Sequence, residues 1–298
     1  MVELRHIRYF VAVAEEANFT RAAARLGIGQ PPLSQQIKDL EREIGAALFR
    51  RVPRGAELTA AGQAFLDEAR AVLAGADRAV RAAQRAARGE QGRLRLGFTG
   101  SAPYNPMVTG AVRAFRDAFP DVAVELFENN TAMLLDALDG HAIDAAFVRP
   151  GPSDRHRPSL LRVDDEALLA VLSTAHPLAG AESLALADLA ADDLVTFPRA
   201  AGPELHRLVM SACRAAGFEP RIGQEAPQIA SVVNLVAAGF GFSLVPASIR
   251  QVGVVGVSYR SLGADGPRAP LSLAWRTDDR SPVVAHFLRL ARERIRAA

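Results

Sequence analysis

A chain of 298 residues, 49% hydrophobic and 23% charged with a single cysteine, has the core-forming capacity of two or three domains, and it excludes a disordered chain, an intramolecular disulfide and a cysteine-rich metal site. The formal net charge is +2, but residues 1–90 hold 14 basic and 11 acidic side chains against 21 and 22 in the remainder, so the basic excess is N-terminal. Lys38 is the only lysine, so the abundance of arginine reflects composition, and the position of each cation matters more than the sum.

The opening "MVELRHIRYF" has no basic segment followed by a long apolar one, which points to the cytoplasm. In chain order, "LRHIRYFVAVAEE" places Leu4, Ile7, Phe10, Val11 and Ala14 on one helical face. "NFTRAAARLG" follows as a short helix with Asn18 or Thr20 as N-cap and Gly27 as its stop. In "GQPPLSQQIKDLEREIG", Pro31 and Pro32 suit a first helical turn, and Leu33, Ile37, Leu40 and Ile44 form an apolar seam. Pro31, Ser34, Gln35, Lys38 and Arg42 lie opposite it, a face rich in donors and poor in acid. A turn containing Gly27 and Gly29 joins the second and third helices, the layout of a helix-turn-helix. "ALFRRVPRGAELT" then reads as a hairpin wing whose tip carries Arg50, Arg51 and Arg54.

A helix that enters the major groove needs an apolar back and a front of donors. Ser34 and Gln35 suit base edges, and Lys38 and Arg54 suit phosphates. Periodicity alone fits a small helical bundle with a solvated polar side equally well.

Residues 59–88 contain no proline and repeat Leu66, Ala69, Leu73, Ala76, Val80, Ala83 and Ala87 at spacings of three and four. This seam fits a lone amphipathic helix packed on its own domain or, as we read it, a long linker helix that pairs with a second copy; if the N-terminal helices read double-stranded DNA, such a pair requires a partial inverted repeat. After "RGEQG" the pattern changes. "RLRLGFTGS", "VAVELFE" and "IDAAFVRP" read as strands and residues 106–119 and 131–138 as the helices between them, which implies parallel βαβ units. A second series follows: "EALLAVLS", "LVTFP", a helix over 204–216, a helix over 229–238 and "GFSLVP", with "LSLAWR" and a helix over 282–296 last. Two α/β lobes with a cleft between them result. The uncharged stretch 229–249 is long enough for a membrane span, but Asn234, Gly239, Gly241 and Pro246 make it a buried helix, turn and strand, so no membrane partner is expected.

The ordered set "LRHIRYFVAVAEEANFTRAAARL", "QPPLSQQIKDLEREIGAALFRR" and "LTAAG" resembles the N-terminal winged helix-turn-helix of LysR-type transcriptional regulators. "AAGFGFSLVP" and "HPL" are similar to patterns of the same family, whose effector domain is like that of periplasmic binding proteins. The implied fold is an N-terminal all-α winged helix-turn-helix (residues 1–58), a linker and dimerisation helix (59–88) and an α/β two-lobed effector domain (89–298). Lobe I would comprise 91–162 and 267–298 and lobe II 163–266, with crossovers near Arg162 and Pro267. The resemblance implies Gln30, Pro31, Pro32, Ser34 and Gln35 as major-groove contacts and Arg54 at the wing. Gly29 departs from the small hydroxylated residue often found there, which removes one cap or phosphate contact. It further implies a homodimer through the linker helix and a homotetramer built as a pair of dimers.

In open α/β sheets ligands bind beyond the carboxyl ends of strands, so "TGSAP", residues 99–103, is the first place to look, with Thr99 and Ser101. Ser101 and Thr131 each precede or open a helix and suit either an anion or a cap. "GFTGS", "ENNT" and "SLVPAS" are most similar to the branch of the family that senses aromatic acids or their ring-opened dicarboxylates. That implies a small organic-acid effector contacted by Ser101 and Thr131, with Phe147, Phe197, Pro203 and Val232 as walls, and Leu205 where such regulators can carry an aromatic residue. Arg149 either neutralises the acid or pairs with Asp164 or Asp165.

The chain contains no G-x-S-x-G, P-loop or H-E-x-x-H, and "GFTGS" lacks the third glycine and later acid of a dinucleotide site. Cys213 falls on a helical core pattern, the histidines are scattered, and neither a catalytic residue, a metal nor a cofactor is expected. The reading is a cytoplasmic, effector-responsive DNA-binding regulator. The alternative is a small-molecule binding protein or enzyme whose N-terminal helices serve only for oligomerisation.

Overall fold

The structure, a computed structural model, describes residues 2–53, 55–154 and 158–297. It divides into two compact units, Met1–Arg85 and Ala86–Ala298.

In the N-terminal unit α1 (Leu4–Glu16), α2 (Phe19–Leu26) and α3 (Gln30–Ile44) precede a hairpin of β1 (Phe49–Val52) and β2 (Gly55–Leu58), and α4 (Ala60–Ala87) follows. Asn18 caps α2, its side chain accepting from the backbone N–H groups of Thr20 and Arg21, and Gly27 ends the helix in the left-handed conformation. Leu33, Ile37 and Leu40 of α3 are fully buried against Phe10 and Val13 of α1, whereas Leu4 is exposed. Phe10 lies 5.2 Å from the ring of Phe49 and 4.9 Å from that of Phe65, so it ties α1 to both the wing and α4. Its truncation to alanine would cost about 3–5 kcal/mol. Gly55, with φ 149°, lets the wing close on α1: Ala56 N–H donates to the Ala17 carbonyl, and a Cβ on Gly55 would stand 2.2 Å from that oxygen. Thr59 caps α4 by accepting from Gly62 N–H at 2.9 Å. Of the seam along α4, Leu66 and Ala69 are buried in this unit's core and Leu73 is half-buried, but Val80 is 57% exposed and Ala83 and Ala87 are open to solvent.

The C-terminal unit has two lobes. In lobe I, β3 (Gly92–Phe98) pairs in parallel with β4 (Val122–Glu128) and β5 (Ala145–Val148), linked by α5 (Pro106–Ala118) and α6 (Thr131–Asp139). The long β6 (Ser159–Ser173) leaves this lobe, β7 (Asp193–Thr196), α7 (Pro203–Ala215), β8 (Arg221–Glu225), α8 (Ile229–Ala237), β9 (Ser243–Pro246) and β10 (Val257–Arg260) build lobe II, and β11 (Arg268–Trp275) returns before α9 (Pro282–Arg296). The continuous sheet runs β4-β3-β5-β11-β6-β10, with β9 also on β6, while β7 pairs with β8. Alternation on β3 and β5 decides the two faces of lobe I. Leu94, Leu96 and Phe147 pack against Phe115 and Phe287 of α5 and α9, and Ala146 and Val148 pack against Leu134 and Leu138 of α6. Gly97 admits α6, since a Cβ there would meet Leu134 Cδ2 at 2.6 Å. Lobe II packs α7 and α8 on its strands through Val209, Val232, Val236 and Phe242.

The crossover lies later than the expected position near Arg162. Residues 159–167 of β6 still pair with β11, and only from Leu168 does β6 pair with β9. Leu168 N–H donates to the Pro267 carbonyl at 2.8 Å, which joins the two crossing strands at the hinge. Among the described residues no helix is long and apolar enough to cross a membrane.

Candidate DNA interface and ligand cleft

The polar face of α3 follows from its seam: with Leu33, Ile37 and Leu40 inward, Pro31, Pro32, Gln35 and Lys38 are exposed and Gln30 and Ser34 half-exposed. Gly29 is the N-cap and provides no side-chain bond. A capping hydroxyl normally accepts from the second or third residue of a helix, and here those are Pro31 and Pro32, which have no N–H to give. Glycine therefore costs the helix no cap. Gln35 Nε2 donates to Asp39 Oδ1 at 3.0 Å, which steadies the side chain along the helix. The wing reaches the same face through Arg51, one of its three arginines but not one of the expected contacts. Arg51 donates to Ser34 Oγ at 2.9 Å while its guanidinium lies 5.6 Å from the centre of the Phe19 ring, so a cation is held beside the start of α3. Arg54 lies outside the described residues.

The cleft of the C-terminal unit contains an inner chamber of about 60 Å³ bordered by Thr99, Ser101, Thr131, Phe197, Leu205 and Ile229. Three helix starts border it: Thr131 of α6, the N-cap Gly202 of α7 and Ile229 of α8. The partial positive charge of a helix N-terminus favours an anion, and neither α7 nor α8 has a side-chain cap. Ser101 and Thr131 do not cap either: Ser101 makes no cap bond, and Asn130, not Thr131, closes the start of α6 by accepting from Met133 N–H. Ser101 Oγ accepts from Arg149 Nε at 3.0 Å, which leaves its own proton to donate into the chamber. Thr99 Oγ1 is buried and has no hydrogen-bond partner among the described residues.

Arg149 pairs with neither Asp164 nor Asp165. It is 3% exposed and donates to Ser101, to the Ala269 carbonyl at 2.6 Å and to Glu166, so its charge is neutralised within the protein. Asp164 is taken by Asn105 Nδ2 at 2.8 Å, and Asp165 by Arg162 and Arg268.

Two of the expected walls are elsewhere. Phe147 points into the lobe I core, 6.1 Å from Phe287, because alternation on β5 turns it away from the strand end. Val232 is fully buried in lobe II, one turn past the first residue of α8 that reaches the chamber. Pro203 borders not the chamber but an outer groove of about 570 Å³, shared with Arg199, His206, Arg207 and Arg214. Thr131, Arg149 and Glu204 border both spaces. Across the mouth, Asn130 Nδ2 of lobe I donates to the Ala200 carbonyl of lobe II at 3.0 Å. Sequence reasoning missed Glu204 and Asn130, since an acid in a first turn and an Asx cap are ordinary helix signals.

The single thiol is unsuited to redox chemistry. Cys213 is fully buried in α7, and burial pushes its pKa up to about 11.

Residues 4–63 match the family described as bacterial regulatory helix-turn-helix protein, lysR family, and residues 87–296 match the LysR substrate binding domain. The chain is 41% identical to the HTH-type transcriptional regulator BudR of Raoultella terrigena over 97% of its length and 100% of that protein's. It is 39% identical to the HTH-type transcriptional regulator AlsR of Bacillus subtilis (strain 168), over 97% of this chain and 95% of the relative. Among solved structures, full-length CbnR complexed with its target DNA superimposes with a TM-score of 0.86 at 31% identity, covering 99% of this chain and 100% of that one. These relatives are regulators, not enzymes. The chain belongs to the LysR family and is a DNA-binding transcriptional regulator responding to a small-molecule effector.

Proposed function

We propose that this regulator is a cytoplasmic homotetramer, a pair of dimers joined through α4, which reads a partial inverted repeat and is controlled by a small organic acid bound in the inner chamber. The observation that carries the effector reading is the convergence of three helix N-termini on one small cavity that also holds a free Ser101 proton and the unpartnered Thr99 hydroxyl. The dimer reading rests on the seam of α4, whose first half is buried and whose continuation through Val80, Ala83 and Ala87 is exposed.

Gln30, Pro31, Pro32, Ser34 and Gln35 are the groove contacts in this reading, and Lys38 and Arg54 the phosphate contacts. The acid acts because it has unequal affinity for two settings of the lobes, a difference transmitted to the spacing of the DNA-binding pairs. Selection of bound duplexes from a random pool at stated salt tests the first half, since phosphate contacts make affinity salt-dependent. Enrichment of a partial palindrome, with a shift in affinity or footprint when short carboxylic acids are added, supports the reading. Binding without sequence preference, unmoved by any acid, overturns it.

A further inference from the structure

If the effector is an acid, as proposed above, one further residue decides which acids enter. We propose that Glu204 restricts the chamber to acids with a single carboxylate and a short remainder and turns away diacids of the same length.

Glu204 lies in the first turn of α7 with its side chain 13% exposed, on the wall common to the 60 Å³ chamber and the 570 Å³ groove. It reaches across to lobe I, its Oε2 standing 3.1 Å from where a Cβ on Gly151 would be. Arg207 grips both of its oxygens, Nε to Oε2 at 2.8 Å and Nη2 to Oε1 at 2.5 Å, so the carboxylate is fixed in place.

A ligand carboxylate held at the Thr99 and Ser101 end has two ways to extend. Toward Phe197, Leu205 and Ile229 it finds apolar walls, which suit a hydrocarbon tail. Toward the groove it finds the Glu204 carboxylate, which repels a second anionic group at close range. Of the cations that border the groove, Arg207 is filled by Glu204, Arg149 by Glu166 and Arg214 by Glu219, which leaves Arg199 among the described residues to offset the repulsion. The chamber's volume sets the length: pockets for drug-sized ligands run from roughly 300 Å³ upward, several times this space.

The test is titration calorimetry of the full-length protein with carbon-matched pairs, propionate against malonate and butyrate against succinate. The wild type should favour the monoacid of a pair by on the order of tenfold or more. Glu204→Gln keeps the size of the side chain, removes its charge and frees Arg207 for a second carboxylate. It should raise diacid affinity by a similar factor and leave the monoacid within about threefold, and adding Arg207→Met should abolish the gain. Equal wild-type binding of monoacid and diacid overturns the role of Glu204 while the acid reading stands. An unchanged ratio in a folded, DNA-binding Glu204→Gln protein does the same. If no acid of either pair binds the wild type, the acid reading falls and this inference with it.

Discussion

Arg149 and Glu166 form an ion pair in which each side chain is only 3% exposed. The pair sits where the lobes meet. Arg149 follows β5 and donates to Ser101 in the loop after β3, Ala269 belongs to the returning strand β11, and the other Glu166 oxygen accepts from Ser248 N–H of lobe II. One guanidinium therefore fixes a chamber hydroxyl to both crossing strands. Removing the acid leaves a buried cation unpaired, so Glu166→Ala should lower stability by about 3–5 kcal/mol, read as the shift in urea midpoint at constant slope. A loss below about 1 kcal/mol would mean that the arginine finds other partners.

Ser101 accepts from Arg149 with one lone pair and keeps its proton for a ligand. A hydrogen bond to a charged group contributes about 1.5–3 kcal/mol, so Ser101→Ala should weaken binding of a short acid by roughly 10- to 100-fold. DNA affinity without the acid should not change. Calorimetry with the acid and a mobility-shift titration without it give the two numbers, and equal acid affinity in the variant would move the ligand elsewhere.

Gln35 and Lys38 both lie on the exposed face of α3 but should fail differently. Gln35→Ala removes an amide suited to a base edge and should relax preference at one base position by about 1–3 kcal/mol. Lys38→Ala removes a phosphate contact, so it should weaken all duplexes alike and reduce the slope of log affinity against log salt by about 1. Competition titrations with single-base operator variants at several salt concentrations separate the two. Interchanged signatures would mean that α3 is rotated relative to the proposed docking.

The DNA-binding unit was legible because its signals are local. The seam of α3, the cap at Asn18 and the stop at Gly27 each act within a few residues, and all three are where the sequence places them. β8 was missed since all five of its residues are exposed and "RIGQE" shows no apolar alternation, and β10 because its four half-buried residues "VSYR" carry no clear period. In the cleft, Thr99, Ser101 and Thr131 follow from strand ends and helix starts, and Phe197 from the family resemblance. Phe147 and Val232 did not, because one step along a strand or one turn of a helix separates lining from core. The partner of Arg149 was illegible for a related reason. Asp164, Asp165 and Glu166 are adjacent in sequence, and only the pairing of β6 with β11 turns Asp165 outward, leaves Asp164 to Asn105 and brings Glu166 to the arginine.

Cys213 gives a chemical test of lobe II. With burial raising its pKa to about 11, only about one molecule in ten thousand carries the thiolate at pH 7. Iodoacetamide should modify the native thiol at least about 100-fold more slowly than a cysteine in a denatured chain, followed by mass spectrometry, and hydrogen peroxide should leave DNA binding unchanged. Fast labelling under native conditions would show that α7 opens readily from the core.

His206, on α7 beside the outer groove, should make stability depend on pH. Burial holds its imidazole below the usual value, and nearby Arg199 and Arg214 push in the same direction, against the opposing influence of Glu225. The unfolded chain, with a histidine pKa near about 6.5, therefore takes up a proton at a higher pH than the folded one. Between the two values the unfolded state binds more protons, so stability rises with pH across that window and falls as pH drops below about 6.5. Above that value both states are neutral and the effect vanishes. Urea midpoints from pH 8 to pH 5 should fall more steeply for the wild type than for His206→Gln, which lacks the titrating ring, while the carboxylates contribute equally to both curves. Parallel curves would mean that the ring gains enough solvent or counter-charge on protonation to cancel the cost of its burial.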